Sequence, residues 1–182
     1  MSRFARYMAT VFASALSFIN GITNGNFASG TTGWLSYYGT SAASGGVLTN
    51  TAGAANAASI LGKENASVTS GDKIYTRVRF RVTNADCTSL STPCNFGSWV
   101  GAPAITPPTQ NQWYEPSAIL TATATTSGGV VRASHAYASG AVASGKQMEV
   151  DYCVYYNLTA NGKADKDLAW CDANIVDPNI VW

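Results

Sequence analysis

The sequence predicts an all-β chain: an antiparallel jelly-roll β-sandwich with an N-terminal helical segment and a short C-terminal helix. Three observations carry this expectation. Short apolar or alternating runs recur along the chain, divided by Gly, Ser, Asn and Pro turns, and they do not alternate with helical patterns. One run, Lys73–Val82, has a clear two-residue period. The polar fraction is Ser, Thr, Asn and Gly. Charged residues are only 12% of the 182, whereas hydrophobic residues are 46% and aromatics 11%, enough for one core of ordinary size.

Residues 1–22 form the first unit. Phe4, Met8, Val11, Ala15, Phe18 and Ile22 recur at alternating four- and three-residue steps, and Tyr7, Phe12, Leu16 and Ile19 widen that stripe. The pattern predicts an amphipathic helix that packs on a partner, on a second copy or on the main domain. Phe4, Met8, Val11, Phe12, Ala15, Leu16, Phe18 and Ile19 are then interface residues. The segment also fits a secretory signal peptide, with Arg3 and Arg6 ahead of an apolar run and small residues at Ala13–Ala15. The run is short for a membrane span and is interrupted by both arginines.

Residues 23–160 form the predicted jelly roll. "NGNFASGTTGW" reads as a strand entry at Asn24–Phe27, a Gly-rich turn, and Trp34 dropping into the core. "GGVLTNTAGAANAASILG" is β-leaning. In "DKIYTRVRFRVTN", Ile74, Thr76, Val78, Phe80 and Val82 form one face, and Tyr75, Arg77, Arg79 and Arg81 form a solvated one. Residues 86–112 read as a long loop with short extended pieces, because Pro93, Pro103, Pro107 and Pro108 rule out a helix. A loop of that length is normally functional. "QWYEPSAILTATATTSGG" is one more strand, and "VVRASHAYASGAVASGKQMEVDYCVYYNLT" is two. Residues 161–182 give a short helix capped by Asp165, with Leu168 and Trp170 following, and then an extended tail.

The chemistry is sparse. The formal net charge is +1, which leaves no footprint for nucleic acid. Cys87, Cys94, Cys153 and Cys171 fit no zinc spacing; they are structural, either free or bridged, and Cys87 and Cys94 could close a local disulfide. His135 is the sole histidine; it reads as a sheet-surface or edge residue rather than as part of a nucleophilic pair. The carboxylates Glu64, Glu115, Glu149 and Asp151 are scattered, and no spacing selects a glycosidase pair. The reading is therefore a non-catalytic protein without cofactor or metal.

The order of the pieces resembles the galactose-binding-like jelly rolls that include several carbohydrate-binding modules. "NGNFASGTTGW" is similar to their opening N-G-x-F-E-x-G-x-x-x-W, "GDKIYTRVRFRV" to a central strand, "NQWYEPSAILTAT" to a W-containing strand, and "SGKQMEVDYCVYYNLT" to the closing strand. The resemblance implies sugar rings stacked on aromatic faces. Tyr37, Tyr38, Trp99, Trp113 and Tyr114 are then candidate glycan contacts, with Arg77 and Arg79 as polar partners and Gln110 and Asn111 beside them. The acid that often follows the opening Phe is Ala28 here, and Asp151 is followed by Tyr152, which removes two expected ligands of a structural calcium.

A second resemblance covers Tyr155–Ile175. "YYNLT" followed by "LAWCDANI" looks like the end of jelly-roll modules in bacteriophage tail and virion-surface proteins. It implies a non-catalytic virion structural protein, either a head decoration or fibre or a tail appendage. Its partners would be other virion proteins and copies of itself, held through the N-terminal segment, with host glycans as a further ligand and neither nucleic acid nor membrane. The alternative is a secreted bacterial carbohydrate-binding module with a signal peptide.

Overall fold

The structure is a computed structural model that describes residues 18–63, 68–127, 129–138, 143–176 and 180–182. Its strands in chain order are β1 (Phe18–Ile19), β2 (Trp34–Tyr37), β3 (Gly39–Ser44), β4 (Val47–Ala52), β5 (Ala57–Lys63), β6 (Lys73–Val82), β7 (Ser89–Asn95), β8 (Trp99–Ile105), β9 (Ser117–Thr121), β10 (Val130–Ala136), β11 (Gln147–Asn157) and β12 (Ile180–Val181). One helix, α1 (Leu168–Asn174), precedes β12. Two five-stranded antiparallel sheets, β2-β5-β10-β7-β8 and β3-β4-β11-β6-β9, pack face to face. The predicted jelly-roll sandwich is the observed architecture.

The core follows from alternation. Ile74, Thr76, Val78, Phe80 and Val82 of β6 point between the sheets, as the two-residue period requires. They meet Leu48, Ile60, Leu90, Val131, Met148 and Val150 from the other strands, all fully buried. Each such side chain contributes about 2 kcal/mol by leaving water. Trp34 enters this core beside Phe27, ring centroids 5.1 Å apart. A Cβ on Gly62 would stand 2.8 Å from the Trp34 ring, so only glycine fits beneath the indole.

The opening stretch is a turn, not a strand entry. Asn24 and Phe27 both have positive φ, 54° and 55°. Asn24 orders the turn with its side chain: Oδ1 accepts from the Ser29 amide at 2.8 Å, and Nδ2 donates to the carbonyls of Gly30 and Thr32. Its own carbonyl takes the Trp34 indole N–H at 3.1 Å. Asparagine tolerates the left-handed region and bonds its own neighbourhood, which explains its presence here.

The segment read as a long loop folds instead into the hairpin β7–β8, which ends the first sheet. Prolines forbade a helix but not these strands: Pro93 stands where the β7–β10 ladder lapses between Cys94 and Ser91, and Pro103 lies on the edge strand.

The two ends of the chain pack against the outside of the second sheet. Phe18, Tyr75, Val154, Tyr156, Leu158, Cys171, Ile175 and Ile180 form a second apolar cluster there. Of the helix expected over residues 1–22, residues 1–17, with Phe4, Met8, Val11, Phe12, Ala15 and Leu16, lie outside the described residues. Phe18–Ile19 is a strand, paired in parallel with Ile180–Val181. Phe18 is buried against Tyr156 and Trp170 within this chain, so it does not serve as an interface residue; Ile19 is 72% exposed. The helix α1 starts two residues later than expected: Asp167, not Asp165, caps it, accepting from the Trp170 amide at 2.8 Å. The four cysteines are free and buried, and burial pushes the Cys94 thiol up to about 12. No helix among the described residues is long and apolar enough to cross a membrane.

Candidate functional site

The candidate contacts divide between the outer faces of the two sheets. On β10, Val131, Ala133 and His135 turn inward, so Val130, Arg132 and Ser134 turn outward. Register carries this alternation across the sheet: Tyr37 pairs with Ser59, Ser59 with Ser134, and Ser134 with Ser91. Trp99 pairs with Asn95, and Asn95 with Val130. Tyr37 therefore stands on one border strand and Trp99 on the other. With strands ~4.8 Å apart, four intervals put these two strands about 19 Å apart.

The two rings nevertheless converge. The Arg132 guanidinium carbon lies 5.8 Å from the Tyr37 ring centre and 5.6 Å from that of Trp99. Its Nε donates to Ser59 Oγ at 2.8 Å, which covers that serine completely. Tyr37 and Trp99 remain 44% and 52% exposed, and Leu35 on the same face 50%. The result is an open apolar floor with small hydroxyls, two aromatic walls and the Arg132 cation between them. On β8, Gly101 faces Pro93, and a Cβ there would strike the Thr92 carbonyl oxygen at 2.3 Å.

The outer face of the second sheet is organised differently. A bulge at Asp151 lets both Asp151 and Tyr152 point outward while Val150 and Cys153 stay in the core. Arg79 pairs with Asp151, and Arg81 with Glu149 at 2.6 Å. Trp113 lies 4.6 Å from both guanidinium carbons and is their stacking partner rather than an open platform. The Tyr114 hydroxyl accepts from the Thr109 amide, and the Tyr114 backbone bridges to Phe80. Asn111 and Gln110 are engaged with the carbonyls of Val82 and Thr83.

Arg77 departs furthest from the expected solvated face. It is 6% exposed, donates to the carbonyls of Asp172 and Ile175, and lies 3.3 Å from Glu115. Tyr75 beside it donates to Asp172 Oδ1 at 2.8 Å, and burial raises its pKa well above the usual phenol range. These two side chains fasten α1 to the sheet and are closed to a ligand. Between the β3–β4 turn and Trp182 lies a cleft of about 470 Å³ lined by Asn26, Gly45, Gly46, Arg79, Glu115, Asp151, Tyr152 and Trp182. Its charges are already matched, Arg79 with Asp151 and Glu115 with Arg77, and Glu115 also accepts from the Tyr152 hydroxyl. Tyr38 sits apart from both faces, at the corner from β2 to β3 with φ 56°.

His135 is not at the surface. It is fully buried between the sheets, with Nδ1 3.0 Å from the Tyr137 hydroxyl and Nε2 3.1 Å from Asn50 Oδ1. Burial lowers its pKa to about 4. No group of three His, Cys, Asp or Glu side chains converges among the described residues.

Tyr37 and Trp99 were among the candidates named from the sequence; Arg132, which the structure places between them, was not. Its signal is faint: one arginine at an outward position of "VVRASHA".

No family model matches the sequence, and no curated protein does. The fold has many solved counterparts. A CBM4 carbohydrate-binding module superposes with TM-score 0.52 at 14% identity, over 72% of this chain and 99% of that one. The CBM22-2 xylan-binding domain of Paenibacillus barcinonensis Xyn10C gives 0.56 at 10% identity, over 73% and 97%. The enzymatically active domain of bacteriophage CBA120 tailspike protein 4 gives 0.54 at 11% identity, over 76% of this chain but 21% of that one. At these identities the likeness is one of fold, and the fold is the jelly roll of carbohydrate-binding modules.

Proposed function

We propose that the chain is a non-catalytic glycan-binding module, and that its ligand lies across the outer face of β2-β5-β10-β7-β8. The observation that carries this reading is the convergence of exposed Tyr37 and Trp99, from opposite borders of one sheet, on Arg132. Flat apolar rings match the C–H faces of pyranoses, and serines and a guanidinium match their hydroxyls. The fold's likeness to carbohydrate-binding modules supports it. Affinity electrophoresis through gels containing soluble polysaccharides tests it. At least one polysaccharide retards the wild type, and Trp99→Ala abolishes the retardation; a panel without any retardation contradicts the reading.

As its setting we propose the surface of a bacteriophage particle, on the resemblance of Tyr155–Ile175 to phage jelly-roll modules and on the tailspike domain among the fold's counterparts. Light scattering and intact-mass measurement of the native chain test this. An oligomer of the full chain is expected, and a monomer cleaved near residues 16 to 23 supports the secreted alternative instead.

A further inference from the structure

The face that carries Tyr37 and Trp99 is selective in its charge. The five strands beneath it contain no Asp or Glu. Their two cations are Lys63, in register with Val130, and Arg132. Among the described residues Arg132 has no ion pair, whereas Arg77, Arg79 and Arg81 each meet a carboxylate. Of its five N–H donors, the protein engages Nε, on Ser59. The flanking ring faces favour a cation but do not accept its N–H groups as oxygen lone pairs do. The two terminal nitrogens are left as a planar fork, the geometry that takes a carboxylate through two parallel hydrogen bonds.

Resting on the glycan-binding reading above, we propose that the ligand is an acidic glycan, a polymer of uronic acid residues. Its carboxylate seats on Arg132 while a neighbouring sugar ring stacks on Trp99 or Tyr37. A neutral glycan makes no use of an unmatched charge on an acid-free sheet, and a bare polyanion makes no use of the two rings.

Titration calorimetry with polygalacturonate and alginate, each compared with its carboxyl-reduced form, tests the inference. The wild type binds at least one uronate polymer roughly tenfold or more tighter than the reduced form, as expected for a charge-assisted pair. Arg132→Gln removes that difference, and Trp99→Ala weakens binding to both forms. Arg132→Lys, which keeps the charge but loses the fork, falls between wild type and Arg132→Gln. Unchanged melting curves show that the variants fold. Equal affinity for acidic and reduced polymers, indifferent to Arg132→Gln but lost in Trp99→Ala, overturns the acidic class and leaves the glycan reading standing. No binding to either uronate polymer while a neutral glycan binds through Trp99 does the same. Binding that dextran sulfate reproduces and Trp99→Ala leaves intact reduces the face to generic charge attraction and overturns both.

Discussion

The two outer faces of the sandwich are built from the same kind of strand, yet they end in opposite states. On β3-β4-β11-β6-β9 every arginine is matched by an acid, Trp113 is stacked with two guanidinium groups, and one end is roofed by α1 and the β1–β12 pair. On β2-β5-β10-β7-β8 the aromatic rings are open, the strands carry no acid, and Arg132 is unmatched among the described residues. The difference teaches that an aromatic ring beside an arginine is not by itself a ligand platform. What decides is whether the protein has already supplied the counter-charge and the cover.

The comparison breaks first at Arg77. Replacing it with Ala leaves Glu115 and the carbonyls of Asp172 and Ile175 without their cation. Urea unfolding should register a loss of about 3 kcal/mol, the cost of leaving those carbonyls unsatisfied, with glycan affinity unchanged at low denaturant. A loss of affinity at full folding would mean that the roofed face takes part in binding.

A change between the sheets should strike both faces together. His135 is buried neutral, with its pKa lowered to about 4, whereas in the unfolded chain it titrates near 6.5. Between those values the unfolded state holds more protons, so stability is full above pH 6.5 and falls as the pH drops towards 4. The loss approaches about 3 kcal/mol over that window. His135→Gln should flatten this part of the stability profile; a wild-type profile already flat from pH 7 to 4 would contradict the buried neutral ring.

At the open face the effect is on binding. Trp99→Ala should weaken glycan binding by about 2 kcal/mol, roughly thirtyfold, with little change in melting temperature. The smallest effect is the mirror experiment. Trp113→Ala removes a stacking partner from Arg79 and Arg81 and should cost about 1 kcal/mol of stability, read by the urea midpoint, with binding untouched.

The fold was legible because the strands obey their period and their punctuation. Lys73–Val82 could be assigned residue by residue to its core face. Its other face could not, because Tyr75 and Arg77 are covered by a helix that arrives about 95 residues later in the chain and alternation carries no record of it. His135 was misplaced for a related reason: its partners Asn50 and Tyr137 make a polar residue affordable in the interior, and Asn50 is 85 residues away. The prolines of residues 86–112 hid a hairpin. Tyr37 and Trp99 were visible as aromatics near strand borders, but nothing local joins them. Only the strand order puts both on one sheet, with Arg132 between them, while it sends Trp113, Tyr114, Arg77 and Arg79 to the other.

The central claim is that one face binds and the other only supports. Chemical-shift mapping of the amide and indole N–H signals during titration with a bound polysaccharide tests it most directly. Shifts are expected along β2, β5, β10, β7 and β8, including the Trp99 indole, with the Trp113 and Trp182 indoles unmoved. Shifts gathered instead around Arg79, Trp113, Tyr152 and Trp182 would contradict it.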